Sequence, residues 1–371
     1  MMTDKPCSAS SMLGLYIHVP FCSQKCLYCN FFSVRYNDVL ANKYVCALSR
    51  HAAKFKGKKI DSVYIGGGTP SVLSLRQLQQ LSQSLHGTFD ISEVREFTFE
   101  LNPESVSKEK LRFLREIGVN RLSVGLQSVE DMSLKFLGRL HDFKTFCSVY
   151  DMARKENFDN INIDLIYGLP NQTLRDWEQV IKKTLAFNSE HLSLYPLSVE
   201  RNTPFYRSNV ITCDDVQRHM YDRAAEDLAN KGYIHYEVSN WSKQNRESFH
   251  NTNYWRNFEY LGLGAGAAGY LGRERYKNIE DVSRYVDLLK DGCNVEIENE
   301  YIDGKIYEVE TIILGLRLLN EGLDVSYFKK PKHYSVLLEC LEDGTLKIEY
   351  DKVKLTEKCV FIFNHIASKF V

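Results

Sequence analysis

The chain has 371 residues, of which 44% are hydrophobic and 26% charged, and its formal net charge is -1. That composition belongs to an ordinary globular protein long enough to bury a sizeable core, and so small a charge excludes bulk electrostatic binding of nucleic acid. The first residues contain no apolar run of signal-peptide length, and no stretch of about 18 uncharged apolar residues occurs later, so a cytoplasmic protein is expected.

Short β-rich runs recur at 15–19, 62–65, 96–101, 121–126, 160–166 and 191–197, with amphipathic helical stretches between them. This alternation predicts βα units around a parallel sheet. Leu75, Leu78, Leu81 and Leu85, and then Leu111 and Leu114 around Phe113, carry the spacing of helices that pack on a sheet. In parallel βα architectures the chemistry gathers at the carboxyl ends of the strands, and polar groups stand there in turn. Strand one runs into a loop with Cys22, Cys26 and Cys29, and strand two into Gly66-Gly67-Gly68-Thr69-Pro70. Strands three to six carry Glu100 with Asn102-Pro103, then Gln127, then Asp164 before Tyr167-Gly168-Leu169-Pro170, and then Tyr195-Pro196.

Three cysteines in one loop are too few for a closed structural zinc site, which takes four ligands, and no second Cys or Cys/His pair follows. Iron–sulfur clusters are held by cysteine thiolates, and a cubane held by only three leaves one iron open to a small molecule. Cys7, Cys46, Cys147, Cys213, Cys293, Cys340 and Cys359 are scattered and are expected as free thiols. Glu100 and Asp164 fall within strands, where a buried carboxylate is costly unless paired or hydrogen-bonded. Either they line a polar pocket that holds hydroxyls or a cation, or they pair with Arg121 or Arg139.

Gly264-Ala-Gly-Ala-Ala-Gly269 satisfies G-x-G-x-x-G literally, but no strand-length β-branched run feeds it and no amphipathic helix follows, so a tight packed turn is expected. Further on, Val309, Ile312, Ile313, Leu316 and Leu319 form a helical stripe that Gly322 is expected to end. A hairpin turning at Asp351-Lys352 and a last helix capped by Thr356 complete a helix–hairpin–helix order. Lys329-Lys330-Pro331-Lys332 is its one basic cluster, so a lid or partner-docking role is expected there and nucleic-acid binding is not.

The spacing C-x3-C-x2-C, with an aromatic before the last Cys, resembles the signature of the radical S-adenosylmethionine superfamily. With Gly66–Pro70, Glu100, Gln127, Leu137-Gly138-Arg139-Leu140-His141, Asp164 and Tyr167–Pro170 in this order, the chain is similar to the oxygen-independent coproporphyrinogen III oxidase family and its heme-chaperone branch. The resemblance implies an α/β fold, a partial (β/α)6 barrel with a small C-terminal α+β, winged-helix-like domain. It divides the chain into a core at 1–240, a connecting region at 241–300 and a C-terminal domain at 301–371. By it, Cys22, Cys26 and Cys29 ligate a 4Fe-4S cluster. Tyr16, Tyr28, Gly67, Gly68, Thr69, Glu100, Gln127, Arg139 and Asp164 contact S-adenosyl-L-methionine. No catalytic residue is assigned.

Two departures favour the chaperone branch over the oxidases. Phe31 stands where the oxidases carry a fourth cysteine, and only 21 residues precede Cys22, which leaves no room for their longer N-terminal segment. His250-Asn-Thr-Asn-Tyr254-Trp255 matches the His-Asn-x-x-Tyr-Trp motif of that branch, implying heme contact at His250, Tyr254 and Trp255. An imidazole is an iron ligand, and the two aromatics offer flat faces to a porphyrin. The expected function is a heme chaperone serving acceptor hemoproteins, respiratory and membrane-associated ones among them, with an electron donor and a homodimer as further partners. The alternative is a radical oxidase that decarboxylates two propionates of coproporphyrinogen III to vinyl groups.

Overall fold

The computed structural model describes residues 12–371, so Cys7 lies outside the described residues. Apolar side chains at every second position make six parallel strands: β1 (Leu13–Val19), β2 (Ser62–Gly67), β3 (Glu96–Leu101), β4 (Arg121–Gln127), β5 (Ile161–Tyr167) and β6 (His191–Pro196). Helices return the chain after each: α1 (Asp38–Ala53), α2 (Leu75–Thr88), α3 (Lys108–Glu116), α4 (Phe143–Lys155), α5 (Leu174–Leu185) and α6 (Asp214–Asn230). The first five start where a side-chain oxygen of Asn37, Ser74, Ser107, Asp142 or Thr173 accepts a free backbone N–H of the first turn. In α2 the stripe Leu78, Leu81 and Leu85 is buried, each leucine contributing roughly 2 kcal/mol by leaving water.

Period two gives the strands two unlike faces. Leu15, Ile17, Val63, Phe97, Phe99, Leu122, Val124, Ile163 and Leu192 are buried on one, in the core under the helices. The opposite face carries Tyr16, His18, Tyr64, Thr98, Glu100, Arg121, Ser123, Asn162, Asp164, His191 and Ser193, a polar interior in which these groups bond one another across strands.

The sheet does not stop at six parallel strands. β7 (Ile234–Glu237) and β8 (Asn240–Ser242) extend it antiparallel beyond β6, and β9 (Glu259–Leu263), β10 (Ala268–Leu271), β11 (Glu274–Asn278) and β12 (Glu296–Tyr301) extend it beyond β1. The order is β12-β11-β10-β9-β1-β2-β3-β4-β5-β6-β8-β7, an open, partial barrel. The stretch 241–300, expected to connect, thus carries β9, β10, β11 and most of β12.

A strand does feed the glycine run, contrary to expectation: β9 lies parallel to β1, with Gly262 opposite Tyr16. It has no β-branched residue, and its conformation comes from pairing rather than propensity. An antiparallel strand follows in place of a helix, so the run is the close-packed turn foreseen. A Cβ at Gly262 would lie 1.8 Å from the carbonyl oxygen of Ala268, and one at Gly269 would lie 2.1 Å from the Tyr276 ring.

Two helices, α7 (Phe249–Trp255) and α8 (Gly304–Gly315), pack beside this edge. The C-terminal unit continues with helix Pro331–Glu342, a three-stranded sheet of Leu323–Asp324, Lys352–Leu355 and Leu346–Glu349, and helix Phe363–Ser368. Three local expectations need correction. Helix α8 ends at Gly315, where the Leu323 side chain packs against the glycine, and Gly322 instead takes the left-handed turn into the first short strand. The hairpin turns at Tyr350-Asp351, both with positive φ, as two-residue hairpins of primed type require. Thr356 makes no cap bond, its hydroxyl donating to the carbonyls of Gly344 and Thr345. No helix among the described residues is long and apolar enough to cross a membrane.

Candidate functional site

The cysteine loop leaves β1 at its carboxyl end. Phe21-Cys22 pairs with Val34-Arg35, which closes the loop at its base. A turn bonded from the N–H of Cys29 to the carbonyl of Cys26, 3.3 Å, brings the two later thiols round. The N–H of Leu27 donates to the carbonyl of Leu137 and that of Phe205 to Leu27, so backbone beyond β4 and β6 holds the loop over the barrel mouth.

The sulfurs have donors. Thr69 Oγ1 lies 3.5 Å from Cys22 Sγ, and Arg139 Nη1 lies 3.6 Å from Cys26 Sγ. Asn102 joins the two: its Nδ2 donates to Thr69 Oγ1 at 2.9 Å, and its Oδ1 accepts Arg139 Nη2 at 2.6 Å. Burial pushes the thiols of Cys22 and Cys29 up, so both keep their protons until a metal takes them. Among the described residues no three Cys, His, Asp or Glu side chains converge to hold one metal ion. Three cysteine thiols on one loop, two of them with hydrogen-bond donors at sulfur, fit the soft thiolate set that an iron–sulfur cluster takes.

Behind the loop, Gly66, Gly67 and Gly68 are packed rather than open. A Cβ at Gly66 would lie 2.7 Å from Glu100 Oε2, one at Gly67 2.6 Å from the His18 ring, and one at Gly68 2.8 Å from the Phe21 carbonyl oxygen. Glu100 accepts the Tyr64 hydroxyl at 2.6 Å and the Gly67 N–H at 3.1 Å. Asp164 accepts from Asn162 Nδ2 at 2.8 Å and Ser123 Oγ at 3.1 Å. Neither carboxylate forms an ion pair with Arg121 or Arg139. Gln127 has φ 69° at a register shift between β4 and β5, the strained bulge that re-aims a side chain beside a site.

Below the mouth, on the same inner face, lies a cavity of about 650 Å³, within the range of small-molecule sites. Its wall is largely aromatic and includes Tyr16, Tyr64, Tyr254, Trp255, Tyr260 and Tyr270, with His250 among them. Arg317 of the C-terminal unit stacks 4.1 Å over the Trp255 ring and pairs with buried Glu237 at 3.3 Å, fixing that wall.

Residues 16–184 match the Radical SAM superfamily. The chain is 35% identical to the heme chaperone HemW of Lactococcus lactis over 100% of its own length and 98% of that protein. It is 34% identical to HemW of Bacillus subtilis over 97% of this chain and 99% of that one. The chain belongs to the HemW family. The fold is that of the Escherichia coli coproporphyrinogen III oxidase HemN, a radical SAM enzyme, with a TM-score of 0.86 at 22% identity over 97% of this chain and 90% of the other.

Within the HemW-family site, Cys22, Cys26, Thr69 and Arg139 form one bonded group. Tyr28 packs beside it against the small apolar cluster of Leu137, Ile166, Leu169, Leu197 and Phe205. Gly67 and Glu100 form a second, and Asp164 stands in the barrel interior with Asn162 and Ser123. Tyr16 stands apart from the thiols, on the wall it shares with His250, Tyr254 and Trp255. Phe31, two residues after Cys29, is 65% exposed.

The imidazole of His250 is not free. It is 1% exposed, its Nδ1 lies 2.8 Å from Ser62 Oγ, its Nε2 lies 2.8 Å from the Tyr254 hydroxyl, and burial pushes its pKa down to about 3. Sequence reasoning missed Asn102 as the hub between the sulfur donors, and it missed His18 and Tyr64. The signal for the last two was strand alternation, which places them on the face of Tyr16.

Burial, assisted by the nearby charge of Asp164, pushes Glu100 up to about 7 against the pull of its hydrogen bonds. The folded chain then holds a proton that an ordinary glutamate, near 4.5, has already lost. Stability of ligand-free wild type is expected to fall relative to Glu100→Gln, by up to about 3 kcal/mol, as pH rises from about 4.5 to about 7. Denaturant unfolding of both proteins across that window checks it. Parallel curves would place the Glu100 proton elsewhere.

Proposed function

We propose that this chain is a heme chaperone: it takes up heme and passes it to acceptor hemoproteins while holding a 4Fe-4S cluster and S-adenosyl-L-methionine. Full-length kinship with HemW carries this reading, and the aromatic cavity around His250–Trp255 gives it a physical seat. Cys22, Cys26 and Cys29 are the cluster ligands. The cluster supplies an open iron for the amino and carboxylate groups of the nucleotide and a source of single electrons. Thr69 and Arg139 donate to two of the sulfurs, which steadies the thiolates. The remaining nucleotide contacts are Tyr16, Tyr28, Gly67, Gly68, Glu100, Gln127 and Asp164, whose carboxylates suit ribose hydroxyls and the sulfonium charge.

The chain works in the cytoplasm, receives electrons from a donor protein, pairs as a homodimer and serves respiratory acceptors at the membrane, without nucleic acid. Anaerobically reconstituted protein is expected to bind heme one to one and to leave coproporphyrinogen III unchanged. Steady decarboxylation of its propionates by this protein would reverse the assignment in favour of an oxidase.

A further inference from the structure

Three tyrosines on the cavity wall have hydroxyls tied to titratable partners, and the partners differ in what they give back. Tyr64 donates to Glu100 at 2.6 Å, and once Glu100 has ionised, above about pH 7, loss of the Tyr64 proton would set two negative oxygens together. Tyr16 lies 2.9 Å from His18 Nδ1, and His18 Nε2 lies 2.9 Å from the carbonyl oxygen of Phe32. A carbonyl only accepts, so Nε2 carries the hydrogen, Nδ1 of the neutral ring accepts, and Tyr16 must remain the donor.

His250 is differently placed. Its Nδ1 faces the hydroxyl of Ser62, which can donate or accept, so either tautomer satisfies both ring nitrogens. In one, Tyr254 donates to Nε2; in the other, Nε2–H donates to the Tyr254 oxygen. Of these three, only Tyr254 can lose its proton and keep a donor aimed at the oxygen. The Tyr254 ring is half-buried on the cavity wall, whereas His250 is 1% exposed and its Nε2 sits behind the Tyr254 hydroxyl. Gly14 makes room for that ring, since a Cβ there would lie 3.3 Å from His250 Cε1.

We propose that Tyr254, not His250, binds the iron of ferric heme in this chain, as a phenolate held by the Nε2–H of His250, whose Nδ1 then accepts the Ser62 hydroxyl. Tyrosinate is an established ligand of heme iron in other proteins. The exchange balances without a redox partner: the phenol proton joins the hydroxide on incoming ferric heme and leaves as water, the iron–oxygen bond to tyrosine replaces that to hydroxide, and the iron stays ferric. This inference rests on the heme-chaperone reading.

The test is resonance Raman and electron paramagnetic resonance of the full, cluster-reconstituted chain titrated with hemin. Wild type is expected to show iron–tyrosinate vibrations and a high-spin ferric signal. Tyr254→Phe loses the vibrations, and Tyr16→Phe keeps them. His250→Ala keeps them at shifted frequency while weakening hemin binding roughly 10-fold to 100-fold, the usual cost of losing a partner of a metal ligand. Wild type that binds hemin without tyrosinate vibrations, or vibrations that survive in Tyr254→Phe, overturns the inference and leaves the chaperone reading standing. Wild type with an intact cluster that takes up no hemin overturns the chaperone reading itself. Should Tyr254→Phe fail to retain its cluster, the wild-type spectrum and His250→Ala decide.

Discussion

Changing any one of Cys22, Cys26 or Cys29 to alanine is expected to yield folded protein with almost no bound iron or sulfide after anaerobic reconstitution. In the proposed cluster site each thiolate would hold one iron, so the loss of one would remove a third of the protein's attachment to the cluster. The loop itself is expected to survive, because Phe21-Cys22 stays paired with Val34-Arg35 through backbone bonds and Leu27 stays tied to Leu137. Iron and sulfide analysis together with far-ultraviolet circular dichroism separates loss of the cluster from loss of the fold. Cys147→Ala and Cys340→Ala are the controls, since the one thiol lies on α4 and the other on helix Pro331–Glu342. A full complement of iron in any of the three loop variants would remove the basis for the cluster.

Glu96→Leu is expected to cost about 3–5 kcal/mol, because buried donors left without an acceptor cost roughly 1–3 kcal/mol each, and to abolish heme uptake with it. Glu96 is 4% exposed at the amino end of β3, on the polar face. It accepts the N–H groups of Phe249 and His250 at 2.7 and 3.2 Å and the hydroxyls of Ser248 and Thr98 at 3.0 and 3.1 Å. A strand carboxylate therefore holds the first turn of α7, whose N–H groups have no partner within their own helix. It is also the foremost negative neighbour of Arg121, which is 2% exposed with its Nε unpartnered. Leucine fills much of the volume but satisfies none of these groups. Urea unfolding and hemin titration of Glu96→Leu beside Glu96→Gln, which keeps an acceptor, read both effects. A midpoint within experimental error of wild type would show that α7 is held by packing alone.

The parallel core was legible because its six strands obey the simplest pattern a sequence can carry. Leu15, Ile17 and Val19 face the helices, and Tyr16 and His18 face the interior. The rim was legible because polar residues interrupt apolar runs where those strands end, as at Glu100 and Gln127. β9 was illegible because Glu259-Tyr-Leu-Gly-Leu263 has no preference of its own and becomes a strand only against β1. The ring of His250 reads as open in the sequence, although Tyr254 four residues on bonds its Nε2. Its other ring partner, Ser62, lies 188 residues away, and Glu96, which accepts its backbone N–H, lies 154 away, separations over which no spacing rule operates. Asn102 read as a turn residue before a proline, and only the fold sets it between Thr69 and Arg139.

The two-faced sheet has one more consequence, for how this chain can change over generations. A substitution on the inner face alters a single group, but inserting or deleting one residue within β3 or β5 turns every following side chain through half a revolution. Phe99 would then enter the wet chamber, and Asp164 would be driven among aliphatic groups beneath the helices. Length variation among descendants of this chain should therefore collect in the connecting loops, and the strands should keep their residue counts even where their letters drift.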